Sequence, residues 1–409
     1  MRIYADLFRA RYAARLLGGT LLGRLPNGMG ALAILLLARA DGAGYTLAGA
    51  LSALSGLASA LGQPVLGRLM DRGGQTRVLL GGALVSAAGY TVFAVVGVYP
   101  VVLAFAAVLV AGFATPPLES GLRALWPSVL RPDQVHAAYA LDAAAQEILF
   151  TAGPLLVVVV AAVSSEAVAV VVTGLLGIAG TLVVASSRPS RAWRGEDHVR
   201  HWAGPLRSSG LRVLLLSLTL TGTALGVLSV ASVAYADARG SDVWAGVIMA
   251  VMSAGAFAGG VAHGARPWVR PVRDRLPWLM GCLTVCYLPL VWAPGPAVMV
   301  VLAAVSGLFL APVIACTFAL VDELAPAGTV TEAFAWVVAA FGTGAAAGTA
   351  VAGLVGEAGG VRWAFAVAGA GAALGTLLLV AGRRTLAPKK IDIGGTSTLE
   401  LSRNGTSAA

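Results

Sequence analysis

The sequence predicts an all-α integral membrane protein. Three observations support that fold class: the composition, the spacing of the apolar segments and the placement of the arginines. Of the 409 residues, 58% are hydrophobic and 11% are charged, and the mean hydropathy is +0.85. A soluble domain has about 45–50% apolar and about 25% charged residues. A chain with so little polar surface is expected to lie in a lipid bilayer.

Apolar segments long enough to cross a bilayer recur twelve times along the chain. A helix needs about 20 apolar residues to cross about 30 Å of hydrocarbon. The predicted spans of the first half are residues 15–38, 46–66, 78–98, 101–122, 139–162 and 167–186. Those of the second half are residues 211–234, 244–264, 276–293, 296–318, 331–355 and 361–382.

The basic residues lie mainly on one side of these predicted spans. The N-terminus, the even-to-odd connections and the C-terminal tail hold 24 of the 28 Lys and Arg residues, whereas the opposite connections hold only Arg39, Arg239 and Arg362. Because basic residues concentrate on the cytoplasmic side, both termini are predicted to be cytoplasmic. This topology accounts for the net charge of +9, so no nucleic-acid partner is expected. A chain with 26 Arg, 2 Lys and abundant Ala and Gly also suggests a high-GC bacterial genome, and hence a bacterial cell membrane.

A polar segment at residues 187–210 divides the spans into two sets of six. The predicted units are an N-terminal six-helix bundle at 1–186, a cytoplasmic central loop at 187–210, a C-terminal six-helix bundle at 211–384 and a disordered cytoplasmic tail at 385–409. At a shift of 193 residues, Gly62 and Gly67 fall on Gly255 and Gly260. The two bundles are therefore predicted to be pseudo-symmetric, an arrangement that secondary transporters use with the substrate path between the halves.

A charged turn follows span two in the sequence GRLMDRGGQTRVL, residues 67–79. Two glycines permit a tight reversal, and topology explains Arg72 and Arg77. Topology does not explain Asp71, because acidic residues contribute little to orientation. A carboxylate at a membrane face is suited to the N-terminus of another helix, where free N–H groups favour negative charge. Asp71 is therefore a candidate contact that forms in one arrangement of the halves and breaks in the other.

This turn resembles the loop signature of the major facilitator superfamily, Gly-x-Leu-Ala-Asp-Arg-x-Gly-Arg-Lys-x-x-Leu. The residues that match it are Gly67, Leu69, Asp71, Arg72, Gly74 and Leu79, while Gln75 and Thr76 replace the basic pair. The resemblance implies the major facilitator fold and a set of gating residues: Gly67, Asp71, Arg72, Gly74 and Arg77. It also implies that Asp71 contacts the start of span eleven, between Val330 and Glu332, in the outward-facing state, and that Arg72 and Arg77 tie the loop together. In the second half, Gly264 stands where Asp71 would fall.

Two further stretches are similar to actinobacterial members of this family that resemble drug/proton antiporters: RALWPSVL at 123–130 and AYALDAAAQEILFTAGP at 138–154. Gly153 and Pro154 of span five resemble the Gly-Pro of the antiporter signature of proton-driven drug exporters. The residues that follow are bulky, so the fuller glycine pattern is missing. The physical expectation is a kinked, loosely packed helix.

Ionisable residues at membrane depth are costly and mark substrate or proton pathways by default. Arg24 and Glu147 are each predicted about 14 Å from the cytoplasmic face, near the bilayer midplane. An Arg24–Glu147 pair would remove two isolated charges, and Glu147 could couple a proton to transport by alternating between that pair and protonation. A permanent structural ion pair is the alternative. Asp142 is a candidate relay, with a snorkelling or capping role near the cytoplasmic end as the alternative. Glu119 is also a candidate for proton coupling or substrate binding, with an end-of-helix pair with Arg123 as the favoured alternative.

Three acidic residues flank the connection between spans ten and eleven, which contains no Arg or Lys: Asp322, Glu323 and Glu332. They are predicted to meet arginine-rich loops at a cytoplasmic gate, with helix capping as the alternative. The three cysteines lie in apolar segments, and no spacing of ligand residues fits a metal site, so no metal or other cofactor is expected. The absence of a phosphate loop and a nucleophile elbow argues against an enzyme and leaves the proton gradient as the expected energy source.

These observations predict a monomeric secondary transporter whose halves expose a cavity alternately to either side. The favoured substrate is a small amphipathic molecule, a drug or natural product, exported in exchange for protons. Proton-coupled uptake of a sugar, amino acid or organic anion, with Arg24 binding a carboxylate, is the first alternative. A non-transporting receptor is the second, and it is disfavoured because the soluble segments are too short to form a signalling domain.

Overall fold

The computed structural model describes residues 2–195, 203–241 and 243–387, and within them all regular secondary structure is helical. Twelve elements are long and apolar enough to cross a membrane, as predicted. Spans one to six are Ala13–Ala40, Tyr45–Gly73, Gln75–Val96, Val101–Val129, Pro132–Val163 and Glu166–Ala185. Spans seven to twelve are Ser209–Asp237, Val243–Gly264, Val272–Trp292, Pro296–Leu324, Val330–Gly359 and Val361–Ala381. The described ranges also contain four short helical segments outside the spans: Arg2–Arg9, Arg188–Ala192, Gly204–Arg207 and Arg383–Leu386.

Three of the spans are interrupted. Span four consists of helices Val101–Phe113 and Leu118–Val129, because Pro116 and Pro117 cannot continue a helix: proline lacks an N–H and clashes with the preceding turn. Span nine consists of the α-helix Val272–Tyr287 followed by the 3₁₀ segment Leu288–Trp292. Span ten, like span four, is made of two helices, Pro296–Gly307 and Leu310–Leu324. The break in span four places Glu119 in the first turn of a new helix inside the bundle.

Several spans extend beyond their predicted ends on the side that carries both ends of the described chain, Arg2 and Ala387, called the termini face below. Span four ends at Val129 rather than at residue 122, and span five begins at Pro132 rather than at residue 139. These helices continue past the apolar stretch into sequence with charged residues, which a hydropathy scan excludes. The predicted placement of Glu119 at the end of span four, and of Asp142 near the end of span five, is therefore wrong: both lie about ten residues, or about 15 Å, from the termini face.

The helix packing is the same in the two halves and confirms the predicted pair of pseudo-symmetric bundles. Span one packs against spans five and six, and span seven packs in the same way against spans eleven and twelve. Span two packs against span four, as span eight does against span ten. The halves meet along two equivalent interfaces, span two with span eleven and span five with span eight.

Repeat-related glycines allow this close packing. A Cβ atom on Gly62 would lie 2.0 Å from the Phe113 carbonyl oxygen, and one on Gly255 would lie 2.1 Å from that of Ala304. Both glycines therefore permit backbone contact inside their own half. Gly67 and Gly260 permit close approach between the halves, since a Cβ atom on each would meet an alanine side chain of the opposite half, at 3.0 Å and 2.9 Å. The sequence repeat thus has a direct counterpart in packing.

The predicted tail and central loop are described only in part. The tail was expected to begin at residue 385, but the Arg383–Leu386 segment packs against span seven and buries Leu386. The rest of that predicted tail, from residue 388 on, and residues 196–202 of the central loop lie outside the described residues. On the surface of the spans, large apolar side chains such as Leu61, Val102 and Leu377 are exposed, as a lipid-facing surface requires.

Candidate functional site

The Asp71 carboxylate binds the first turn of span eleven at the termini face. Its oxygens accept hydrogen bonds from the backbone N–H groups of Thr331, at 3.1 Å, and Glu332, at 2.8 Å. Asp71 is only 8% exposed. The first N–H groups of a helix have no partner within the helix, and the helix dipole favours an anion there. Asp71 thus joins the two halves at the place that the family resemblance implied.

Arg68, one turn before Asp71, adds a second contact with the same segment. Its Nε and Nη2 atoms donate to the two oxygens of Glu332 at 2.8 Å and 2.6 Å. This is the bidentate geometry that arginine and carboxylate prefer. Of the three predicted gate acids, Glu332 therefore does meet an arginine of the first half. Sequence reasoning used Arg68 only for topology and missed this role, because the signature leaves that position unspecified.

The expectation that Arg72 and Arg77 tie this loop together is wrong for this conformation. Both are exposed and form no hydrogen bond or ion pair with any described residue. Gln75, which replaces the first basic residue of the signature, is instead fully buried and donates from Nε2 to the Gly121 carbonyl oxygen at 3.0 Å. The loop reverses at Gly74, whose φ of +86° favours glycine. A neutral side chain therefore fixes this loop to span four.

Four buried charged residues form a network among spans one, four and five. Arg24 donates to Asp142 at 3.1 Å and to Glu119, and its Nη2 also lies 3.1 Å from Oε1 of Gln146. Arg123 donates to the same two acids, at 2.7 Å to Asp142 and 3.1 Å to Glu119. None of the four charged side chains is more than 6% exposed. Two cations and two anions compensate each other, which is how proteins tolerate buried charge.

The predicted Arg24–Glu147 pair does not form. Asp142 and Gln146 are four residues apart and share the face of span five that meets Arg24. Glu147 lies five residues after Asp142, which turns it about 140° around the helix. Its carboxyl faces Ser253 of span eight instead. The Glu119–Arg123 pair was predicted correctly, but as part of this central network and not as an isolated pair at a helix end.

The network borders a central cavity of about 260 Å³ between the two halves. Among the described residues of the second half, only apolar side chains and one glycine line it: Leu218, Ile314, Phe318, Val337, Val338, Phe341 and Gly342. The polar part of the lining comes from the first half: Arg24, Asn27, Ser52, Ser55, Ser59, Gln63, Tyr90, Thr115, Glu119, Arg123 and Gln146. Along span eleven, Thr331 to Ala335 are buried and Gly342 is exposed. The cavity is therefore closed toward the termini face and opens toward the opposite face.

Some polar atoms beside this cavity have no partner among the described residues. Gln63 is 2% exposed and donates to the Thr115 carbonyl oxygen at 3.2 Å, which leaves its Oε1 unpaired. Nε of Arg24 and Nη1 of Arg123 are unpaired as well. The guanidinium of Arg123 also stacks 3.5 Å from the ring centre of Phe318 in the second half. The cavity therefore offers hydrogen-bonding groups on one wall and an apolar surface on the other.

The remaining predicted site residues lie away from this cavity. Gly153 contacts Gly28, where spans one and five approach each other, and the helix continues through Pro154. Asp322 lies beside Tyr139 of span five, and Glu323 lies near Arg273 and Arg275. The partner of Asp322 in the first half is thus a tyrosine, and the arginines near Glu323 belong to its own half, so these two acids do not form the predicted contacts with arginines across the gate. In the described part of the chain, no group of three or more His, Cys, Asp or Glu side chains is arranged to hold a metal ion.

Comparison with known proteins agrees with this architecture. A sequence profile described as the Major Facilitator Superfamily matches residues 16–298 and 276–404. No curated protein sequence matches the chain. A solved bacterial homologue of the iron transporter ferroportin, in an outward-facing state, is similar in structure with a TM-score of 0.70 and 15% identity, over 90% of this chain and 98% of that one.

Two other solved structures have the same fold. The human organic anion transporter MFSD10 (TETRAN) gives a TM-score of 0.66 at 18% identity, over 89% of this chain and 99% of that one. The E. coli fucose:proton symporter FucP gives a TM-score of 0.69 at 14% identity, over 91% and 98%. This fold thus serves transporters of chemically different substrates. Because the profile covers more than half of its length, the chain belongs to the major facilitator superfamily.

Proposed function

We propose that this protein is a proton-coupled exporter of small amphipathic molecules, such as drugs or natural products. It works as a monomer in a bacterial cell membrane, with both termini in the cytoplasm, and acts by transport rather than by catalysing a covalent reaction. The observation that carries the proposal is the two-sided cavity, with charged and polar groups on the first half and only apolar groups on the second. A molecule with one polar and one apolar side fits that arrangement.

The closed termini face supports transport by alternating access. Asp71 and Arg68 hold span two against span eleven while the cavity is open on the opposite side. Under the proposed topology this is the outward-facing state. Breaking these contacts lets the halves tilt and exposes the same cavity to the cytoplasm. The substrate then crosses the membrane without any continuous channel.

Glu119 is the residue that we expect to bind the coupled proton. It lines the cavity, whereas Asp142 is fully buried behind it. A proton on Glu119 removes one of the two anions that compensate Arg24 and Arg123, and a buried charge that loses its partner is strongly destabilised, by about 3–5 kcal/mol. Proton binding at Glu119 therefore changes the net charge of this network and hence its stability. A cationic amphipathic substrate that approaches Glu119 would compete with the proton, as exchange transport requires.

Flux measurements in proteoliposomes test this assignment. A panel of amphipathic cations is first screened for accumulation driven by a proton gradient. The parent is then compared with three variants: Glu119→Gln, Glu147→Gln and the exposed control Asp133→Asn. We expect Glu119→Gln to abolish the dependence on the proton gradient and the other two to keep it. If Glu147→Gln alone abolishes it, the proton binds at Glu147. Absence of flux across the whole panel, with the protein present in the membrane, would argue against the exporter.

Proton-coupled uptake of an organic anion is a second candidate, and the unpaired nitrogens of Arg24 and Arg123 favour it. Protonation of Glu119 would leave these two arginines with a single carboxylate, Asp142, and hence with a net positive charge beside the cavity. An anionic substrate would then bind better at low pH, whereas a cationic one would bind worse. The pH dependence of binding of the two classes to the purified protein therefore distinguishes the candidates.

A further inference from the structure

A cluster of side chains joins the two halves at the interface between spans five and eight. His136 of span five and His263 of span eight bring their Nε2 atoms to 3.2 Å. Arg275 of span nine places Nη1 3.1 Å from the same nitrogen of His136. Cys316 of span ten has its Sγ atom 3.5 Å from Nε2 of His263. One imidazole of the first half is thus held by two side chains of the second.

The chemistry of Arg275 determines the protonation of His136. A guanidinium has only N–H donors, so Nε2 of His136 must accept and cannot carry a proton. His136 is therefore neutral, with its proton on Nδ1. Nε2 of His263, 3.2 Å from that acceptor, makes a favourable contact by donating to it. The contact between the halves therefore requires an unprotonated His136.

A second cavity, of about 670 Å³ at the termini face, gives protons access to this cluster. Its lining includes His136, Trp268 and Arg275. Among the described residues that line the central cavity, neither histidine of the cluster occurs. The cluster is therefore open to the termini side, whereas Glu119 is open to the cavity on the other side of the closed interface.

The acids near His136 have other partners. Asp133, on the same helix, is paired with Arg131 at 3.5 Å. Asp322 lies beside Tyr139, and Glu323 lies near arginines of the second half. The charged and titratable groups that surround the cluster from the packed elements are Tyr4, Asp133, Tyr139, His263, Arg266, Arg273, Arg275, Cys316, Asp322 and Glu323. A protonated His136 would meet Arg275 and the His263 N–H group first, and both oppose a positive charge.

We propose that His136 is a proton-binding site on the termini side and that its protonation opens the span five–span eight interface. Protonation replaces an acceptor by a donor where two donors already converge, and it adds a cation next to Arg275. The contact then becomes repulsive, and the halves part at the termini face. This inference rests on the alternating access proposed above and adds to it a second proton site, opposite Glu119. Its test needs no substrate.

Distance measurements on the full chain in lipid nanodiscs test the proposal. Cys282 and Cys286 are replaced by alanine, the buried Cys316 is kept, and spin labels are attached at Ser128→Cys and Val269→Cys on the termini face, where Val269 is 99% exposed. We expect the fraction of molecules with a long inter-label distance to rise severalfold as the pH falls from about 7 to about 4, because Arg275 opposes a positive charge on His136. In His136→Gln, whose amide oxygen can still accept from Arg275 but cannot be protonated, that fraction should stay low at every pH. The control Asp133→Asn should respond like the parent.

A parent protein without a pH response, or a His136→Gln variant that responds like the parent, would overturn the proposal. If His136→Gln fails to assemble, Arg275→Gln replaces it. Removing that cation makes His136 easier to protonate, so the midpoint of the response should move to higher pH, and an unchanged or lower midpoint overturns the proposal. A pH response as expected in a protein that transports nothing would contradict the proposed exporter, but it would still support the opening of the span five–span eight interface by protonation of His136.

Discussion

The two interfaces between the halves have the same backbone packing but different chemistry. Gly67 lets span two approach span eleven, and its repeat-related partner Gly260 lets span eight approach span five. Beyond these glycines the interfaces differ. One carries Asp71 on a helix N-terminus, and the other has Gly264 at the corresponding position.

The surroundings of Gly264 explain why the second interface has no copy of Asp71. A Cβ atom there would lie 2.4 Å from the Tyr4 hydroxyl and 2.6 Å from the Cβ of Ala140, so no carboxylate fits. The histidine pair and Tyr4 hold this interface instead. The two interfaces therefore share the shape of the backbone contact but carry different polar groups. One is held by carboxylates, and the other by hydroxyl, imidazole and guanidinium groups without a carboxylate among these contacts.

Of the substitutions at these two interfaces, Asp71→Asn should lower the ratio of closed to open termini face the most. The amide keeps the size but presents an N–H group to one of the two N–H donors of span eleven, so a charge-assisted contact worth about 1.5–3 kcal/mol is lost. The ratio of closed to open termini face should fall by about 10- to 150-fold. Spin-label distances across that face measure the ratio. Asp133→Asn, an exposed acid of the same face, is the control, and equal ratios in the two variants would contradict a latch at Asp71.

The Arg68–Glu332 pair should contribute less, because the Arg68 side chain is 32% exposed and solvent weakens its attraction. A double-mutant cycle with Arg68→Gln and Glu332→Gln should give a coupling of about 0.5–1 kcal/mol on the same closed-to-open ratio. Arg72→Gln, whose side chain has no described partner, should change nothing. A coupling near zero would leave Asp71 as the working contact of this interface.

Tyr4→Phe, at the interface between spans five and eight, should change the closed-to-open ratio the least. The Tyr4 hydroxyl donates to the Val261 carbonyl oxygen at 2.8 Å, a bond worth about 0.5–1.5 kcal/mol. Burial raises the pKa of Tyr4 to about 12. The contribution of this bond is therefore constant below pH 10, the ordinary pKa of tyrosine, and is lost only as the pH rises through about 12. The factor by which Tyr4→Phe lowers the closed-to-open ratio should thus be the same at pH 5 and pH 8, and a different factor at the two pH values would show that Tyr4 shares in the pH response.

The sequence predicted the fold and one contact well, for physical reasons. Long apolar segments separated by arginines determine the number of spans, because a bilayer accepts little else. The Asp71 contact followed from a local signature in which the carboxylate and its turn are adjacent in sequence. Both predictions depend on patterns within a short stretch of chain.

The central network could not be predicted in the same way. Pairing Arg24 with Glu147 used depth in the membrane alone, which ignores the direction in which each residue points around its helix. The i+4 spacing of Asp142 and Gln146 did indicate a common face, but the misplaced ends of spans four and five put Asp142 and Glu119 too close to the termini face. The histidine cluster joins four spans, and no sequence spacing relates its members.

The most direct test of the account measures two distances in the same protein under the same conditions. One label pair, Ser128→Cys and Val269→Cys, reports on the termini face, and another, Tyr45→Cys and Val243→Cys, reports on the opposite face. In Asp71→Asn, the first distance should lengthen while the second shortens, since the two halves tilt as rigid bodies about the central cavity. If the termini face opened with no closure of the opposite face, or neither distance changed, the halves would not move in this way and the account would be contradicted.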